Sequence, residues 1–132
     1  MPLFRGMRPD GTQPQVGCGR ASLDVLPGTP PIGDIPIADG MVHPSTGGMS
    51  VVTDDPIFLP GHRKPQSLGG TAKGYFVFAI AEGELPSTLI ARQDMPTELP
   101  MHRSIEPRVP CSFDSFRNEI LGTRQRWRIA HA

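Results

Sequence analysis

The sequence predicts an α+β fold of short strands, mostly antiparallel or mixed, closed by one C-terminal helix. Three observations carry that expectation. Leu, Ile, Val and Phe make up 31 of the 132 residues, above the share of about 20% below which charged chains tend to stay disordered. Fifteen Gly and 16 Pro lie among apolar runs with no repeat period, which points to short strands joined by fixed turns. After Pro110 there is no further proline, and Phe113, Phe116, Ile120 and Trp127 recur at helical spacing. The length corresponds to one domain, residues 1–132.

Leu3 to Met7 reads as a first strand, ended by the turn signal Pro9-Asp10-Gly11. Residues 12–40 carry Pro14, Pro27, Pro30, Pro31 and Pro36. Each removes an amide donor and blocks the preceding turn, so no helix is expected there, only a short strand at Ala21 to Leu26. Met41-Val42-His43, a turn through Pro44 to Gly48, and Met49 to Val52 read as strand, turn, strand. Residues 56–72 form a long loop with three prolines and Gly69-Gly70. Tyr75 to Ala81 is the strongest strand, aromatic and β-branched, and is expected to be central. Thr88 to Arg92 and Met101 to Ile105 follow as strands. The helix is expected over 112–128, with Ser112 as N-cap, Asp114 in the first turn, and Arg124, Arg126 and Arg128 at its negative end.

Charge and cysteine content narrow the partners. Thirteen basic and thirteen acidic residues cancel, so no overall field favours nucleic acid. Eleven of the bases are Arg, whose planar fork suits phosphates and carboxylates. Cys18 and Cys111 are far apart with no C-x-x-C pair, which argues against a zinc cage or a disulfide framework and for a reducing compartment. The segment MPLFRGMRPD lacks a signal-peptide core, and the longest apolar run is too short to span a bilayer, so a cytoplasmic protein with no membrane partner is expected.

Few motifs carry chemistry alone. There is no G-x-S-x-G elbow and no metal-ligand spacing around His43, His62, His102 or His131. Gly69-Gly70-Thr71-Ala72-Lys73-Gly74 fails the phosphate-loop pattern and reads as a loop-to-strand turn. Ser45-Thr46-Gly47-Gly48-Met49-Ser50 sets hydroxyls around a glycine pair, an arrangement suited to a sugar-phosphate and equally to an ordinary turn.

Gly40-Met41-Val42-His43-Pro44-Ser45-Thr46-Gly47-Gly48-Met49-Ser50-Val51 resembles a G-hydrophobic-x-x-P-x-T-G-G-x-S-V segment of bacterial type VI secretion effector toxins that have an ADP-ribosyltransferase-like fold. In the same order, Leu3-Phe4-Arg5 resembles their opening L-aromatic-R, and Gln93-Asp94 their Q-D after a strand. His102-Arg103-Ser104-Ile105-Glu106-Pro107 resembles their H-Y-x-I-x-P, and Phe116-Arg117-Asn118 to Arg126-Trp127 their terminal helix. Arg103 departs from the pattern, standing where the family has Tyr, and Arg8 to Ile35 finds no counterpart.

The resemblance implies a split ADP-ribosyltransferase-like sheet arrangement and an NAD-dependent toxin acting in the cytoplasm, neutralised by an immunity or antitoxin protein. It implies catalytic roles for His102 and Ser50, NAD binding by Arg5, Thr46, Gly47 and Gly48, and no metal. A catalytically inactive nucleotide- or protein-binding module on the same fold is the alternative. Each residue also has a plainer role open to it: Arg5 in a surface ion pair, Thr46 and Ser50 as turn caps, His102 as a strand histidine with its bonds satisfied. Arginine-specific ADP-ribosyltransferases carry an E-x-E pair, but Glu82-Gly83-Glu84 directly precedes Leu85-Pro86 and reads as a solvated turn. Three expectations follow. Arg5 and His102 should face one cleft. His62, Arg63 and Lys64 should lie near its rim. Arg5→Ala should abolish NAD-dependent activity, or binding, with little change in melting temperature.

Overall fold

A computed structural model describes all residues, Met1–Ala132. The strands are β1 (Pro2–Met7), the short pair β2 (Pro9–Asp10) and β3 (Gln13–Pro14), β4 (Met49–Val52), β5 (Phe76–Ala81), β6 (Leu89–Arg92) and β7 (His102–Pro107). The helix α1 (Phe113–Leu121) and a last strand, β8 (Arg128–His131), complete the chain. Six strands form one sheet in the order β6-β7-β4-β1-β5-β8, with every neighbouring pair antiparallel. The fold is α+β, as expected.

The sheet is two three-stranded halves meeting at a narrow seam. β1 and β5 share six register pairs, from Pro2↔Ala81 to Met7↔Phe76. β1 and β4 share one, Phe4↔Val52. Beyond that pair the strands part, and backbone groups on the seam need partners from elsewhere.

Apolar residues divide between the two faces. Leu3, Met7, Met49, Val51, Phe78, Ile80, Leu89 and Ile105 join Phe116, Ile120 and Trp127 in the main core. Phe4, Val52, Leu59 and Val77 form a smaller cluster under the 56–74 loop. The alternation of Leu3 with Phe4, and of Val77 with Phe78, assigns successive side chains to opposite faces. No helix is long and apolar enough to cross a membrane.

Four expectations about elements need correction. Ala21 to Leu26 is not a strand but a 3-10 turn (Gly19–Ala21) and one parallel bridge, Val16↔Leu23. There the Asp24 carboxylate accepts from the Gly19 and Val25 amides, so side-chain bonds replace a ladder. Met41 to His43 does not pair with β4: Met41 bridges to Ala38, and Val42 exchanges hydrogen bonds with Cys111. Pro44 has no donor, and positive φ at Ser45 (65°) and Gly47 (146°) turns the chain out of hairpin register. The helix ends at Gly122, and the chain continues through a 3-10 turn (Arg124–Arg126) into β8, which the sequence reading did not anticipate. Arg124, Arg126 and Arg128 therefore do not sit on a helix end; they bond Asp10, the Glu84 carbonyl and the Glu84 carboxylate. β5, by contrast, is paired on both sides, by β1 and β8, as expected of a central strand.

The other elements lie within a few residues of their expected bounds. Ser112 caps α1 as expected, its hydroxyl accepting from the Ser115 amide at 3.1 Å. Of 65 backbone hydrogen bonds, 35 lie outside helices and strands, which is how the proline-rich connections are held in place.

Candidate functional site

A cleft of about 320 Å³ opens at the seam where β1 and β4 part. Arg5 and Gly6 of β1, Ser50, Val51 and Val52 of β4, and His102 and Ser104 of β7 line it. The segments 30–34 and 59–63, with Asp94, Met95 and Leu99, complete its walls.

Arg5 is neither a surface group nor ion-paired. It is 5% exposed, and its fork donates to three backbone carbonyls: Ser50 (3.0 Å), Arg20 (3.2 Å) and Ser22 (3.2 Å). The bond to Ser50 crosses the seam, so a side chain takes the place of a missing ladder bond. The Arg5 Nε is buried without a partner. Burial, reinforced by the nearby Arg63 charge, lowers the guanidinium to about 10, and it remains charged at neutral pH.

On the other half of the sheet, His102 Nδ1 lies 2.6 Å from Asp94 Oδ1, and both side chains are mostly buried. An ionised carboxylate only accepts, so this contact places a proton on Nδ1, and in the neutral imidazole it leaves the Nε2 lone pair for another donor. Ser50 stands out within β4: its neighbours are buried while it is exposed.

The glycine pair acts differently from what a ligand cradle would require. A Cβ on Gly47 would collide with the Asp34 carbonyl, and one on Gly48 with the Ile105 carbonyl and the Ser104 hydroxyl. These glycines let protein backbones approach one another, while both still line the cleft. Thr46 is exposed and outside the cleft lining, and its hydroxyl donates to the His43 carbonyl at 2.7 Å. The turn is held from below by Glu106, which is fully buried. Glu106 accepts from the Ser45 amide (2.9 Å) and takes a two-pronged bond from Arg92 (2.9 Å each).

Arg5, Gly47, Gly48, Ser50 and His102 thus line one cleft, and Thr46 does not. Arg5, in register with Phe78, leaves β1 on the main-core face. His102, in register with Val52, leaves β7 on the opposite face, so the two meet the cleft from different sides of the sheet rather than side by side as expected. His62 and Arg63 line it as expected, whereas Lys64 turns away and donates to the Ile57 carbonyl. Glu84 lies elsewhere. It pairs with Arg128 and caps the Ala81 amide, and these bonds hold its carboxyl below the ordinary carboxylate range.

Sequence reasoning did not single out Asp94, Arg20 or Asp34 as site residues. Asp94 carried a signal, since Gln93-Asp94 is one of the matched motifs. Arg20 and Asp34 lie in a proline-rich connection with no pattern, and only the chain's path brings them to the seam.

The model of the Tse2 ADP-ribosyltransferase toxin family matches residues 3–127, including the stretch from Arg8 to Ile35 that carries no motif of its own. No individual curated protein matches the sequence. A match over nearly the whole length, on a chain whose split sheet gathers Arg5, Ser50 and His102 around one cleft, establishes that this chain belongs to the Tse2 ADP-ribosyltransferase toxin family.

Proposed function

We propose that NAD is the co-substrate and that its nicotinamide-ribose half sits in the seam cleft. The observation that carries this reading is a single cleft that presents Ser50 and the His102–Asp94 pair together with the Arg5 guanidinium. A guanidinium fork at a cleft wall suits a phosphate or ribose oxygen. The volume falls at the lower end of the roughly 300–1,000 Å³ of ligand pockets, room for part of a dinucleotide with the remainder along the mouth.

When bound, NAD supplies a glycosidic bond whose cleavage builds positive charge at the ribose C1′. His102 Nε2 accepts a hydrogen bond from a ribose hydroxyl, with Asp94 keeping the ring in the accepting tautomer. Ser50 Oγ braces the same sugar, and Arg5 anchors the phosphate side while closing the seam. Gly47 and Gly48 hold the wall in place by their fit to Asp34 and β7. Thr46 acts on the ligand only indirectly, through the turn it fastens.

The test is incubation with NAD, scoring free nicotinamide and transfer of labelled ADP-ribose. Release in wild type that is lost in His102→Ala supports the reading. A chain that neither warms its melting transition with NAD nor releases nicotinamide overturns it. The alternative, a nucleotide-binding module without catalysis, is favoured by one observation: no glutamate lines the cleft, whose acidic residues are Asp34 and Asp94. A thermal shift with NAD but no nicotinamide release identifies that case.

Action in the cytoplasm and neutralisation by an immunity protein belong to the same proposal and rest on the family. Growth arrest on cytoplasmic expression, relieved by co-expressing the product of a neighbouring gene, is the expected result.

A further inference from the structure

We infer that the Arg92–Glu106 ion pair is a positioning device that fixes two walls of the cleft from behind, touching no ligand itself. That the ligand is NAD rests on the reading of the cleft above. The role of the pair rests on three observations.

The first is the conformation it holds. Ser45 has a positive φ of 65°, a region that side chains other than Asn and Asp seldom enter. Such a backbone persists only where its surroundings over-determine it. The Ser45 amide donates to Glu106 Oε1 (2.9 Å), a bond between residues 61 positions apart. From Ser45 the turn runs into Gly47 and Gly48, which fit against Asp34, Ile105 and Ser104 with no room for a side chain. The Gly48 amide donates to the Asp34 carbonyl (2.8 Å). A shift at Ser45 is therefore carried into the glycine wall of the cleft.

The second is the reach of Arg92. Its fork donates to both Glu106 oxygens (2.9 Å each), and those bonds raise the guanidinium above its ordinary value. Arg92 is the last residue of β6, and Asp94, which bonds the His102 ring, follows two positions later. The same pair thus anchors the start of the 93–101 connection, whose Asp94, Met95 and Leu99 make another wall of the cleft. Ser45, Arg92 and Glu106 themselves lie outside the lining.

The third is the chemistry chosen for the position. Glu106 has no exposed surface, on a face of β7 whose other members, His102 and Ser104, line the cleft. A buried ion pair adds little stability over apolar side chains of the same volume. What it adds is direction: three charge-assisted bonds set the Ser45 turn, β6 and β7 relative to one another.

The double variant Arg92→Met/Glu106→Met tests the device, because removing both charges together leaves no lone carboxylate in the core. Its melting temperature should stay within a few degrees of wild type. Its kcat/KM for NAD should fall about tenfold to a hundredfold, the scale for a site held slightly out of place. Arg92→Lys, which keeps the charge and loses the fork, should lose less, and it carries the same readouts where the double variant does not fold. Nitrogen-15 spectra follow the walls without turnover. The Gly47 and Gly48 amides and the His102 ring should shift, and the β1–β5 amides should not. Wild-type kcat/KM in the folded variant, or unmoved Gly47, Gly48 and His102 signals, overturns the device. Shifted signals in a chain that ignores NAD uphold the positioning role and sink the NAD reading.

Discussion

Arg5 is buried with no carboxylate partner, and all three of its hydrogen bonds end on backbone carbonyls. Its replacement therefore disturbs the fold, against the expectation that Arg5→Ala would spare stability. Arg5→Met should lower stability by roughly 2–4 kcal/mol, because a buried carbonyl left unpaired costs about 1–3 kcal/mol. Chemical denaturation measures this, and an unchanged midpoint would mean the seam does not rely on Arg5. Asp94 offers a cleaner separation. Its carboxylate hydrogen-bonds His102 and no other side chain, so Asp94→Ala should leave the melting temperature within a few degrees of wild type. NAD turnover should fall about a hundredfold, the scale expected when a reacting group is held out of position. The nitrogen-15 shifts of the His102 ring should change as Nδ1 loses its acceptor. A ring signature untouched by Asp94→Ala would remove Asp94 from the site.

The C-terminal elements show how the apolar pattern survives a change of secondary structure. Phe116 and Ile120 reach the core from α1, while Trp127 reaches it from the residue before β8. Its indole N–H donates to the Thr123 hydroxyl (2.9 Å), which donates in turn to the Ile120 carbonyl (2.7 Å). That chain satisfies the end of the helix and the buried indole together. Trp127→Ala should cost roughly 3–5 kcal/mol, the range for removing a large buried side chain. A loss below about 1 kcal/mol would show that Trp127 does not close the core. β8 escaped sequence reading because its four residues are mostly exposed and show no alternation of buried positions, and what makes them a strand is the open edge of β5. The 41–43 segment failed in the opposite way. Its composition suits a strand, but Cys111 takes the backbone bonds that a hairpin would have used.

Across the whole molecule, the sheet is strongest within its halves and weakest between them. Six register pairs join β1 to β5, four join β4 to β7, and one joins β1 to β4. In native-state hydrogen exchange, the β1–β5 amides should be the last to exchange, and amides along the β1–β4 seam should exchange earlier through local opening. A ligand that bridges Arg5 and His102 should slow the seam preferentially. Uniform protection across all six strands would contradict a seam that opens. The arrangement has a functional logic: a cleft at a join between two rigid halves can be lined from both.

The sequence by itself determined the α+β class, most of the strands, the start of the helix and the order of the family motifs. These depend on local propensity, proline exclusion and short apolar periods, which neighbouring residues settle among themselves. It also marked Arg5, Ser50 and His102, which lie in those motifs. Only the tertiary structure decided what they do. Burial turned Arg5 into the brace of a seam, backbone contact gave Gly47 and Gly48 a packing role, and the Thr46 hydroxyl went to its own turn. Arg20 and Asp34 reach the cleft along a proline-rich path whose course is set by long-range hydrogen bonds. Such bonds join residues far apart in the chain, so their pattern leaves no local trace to read.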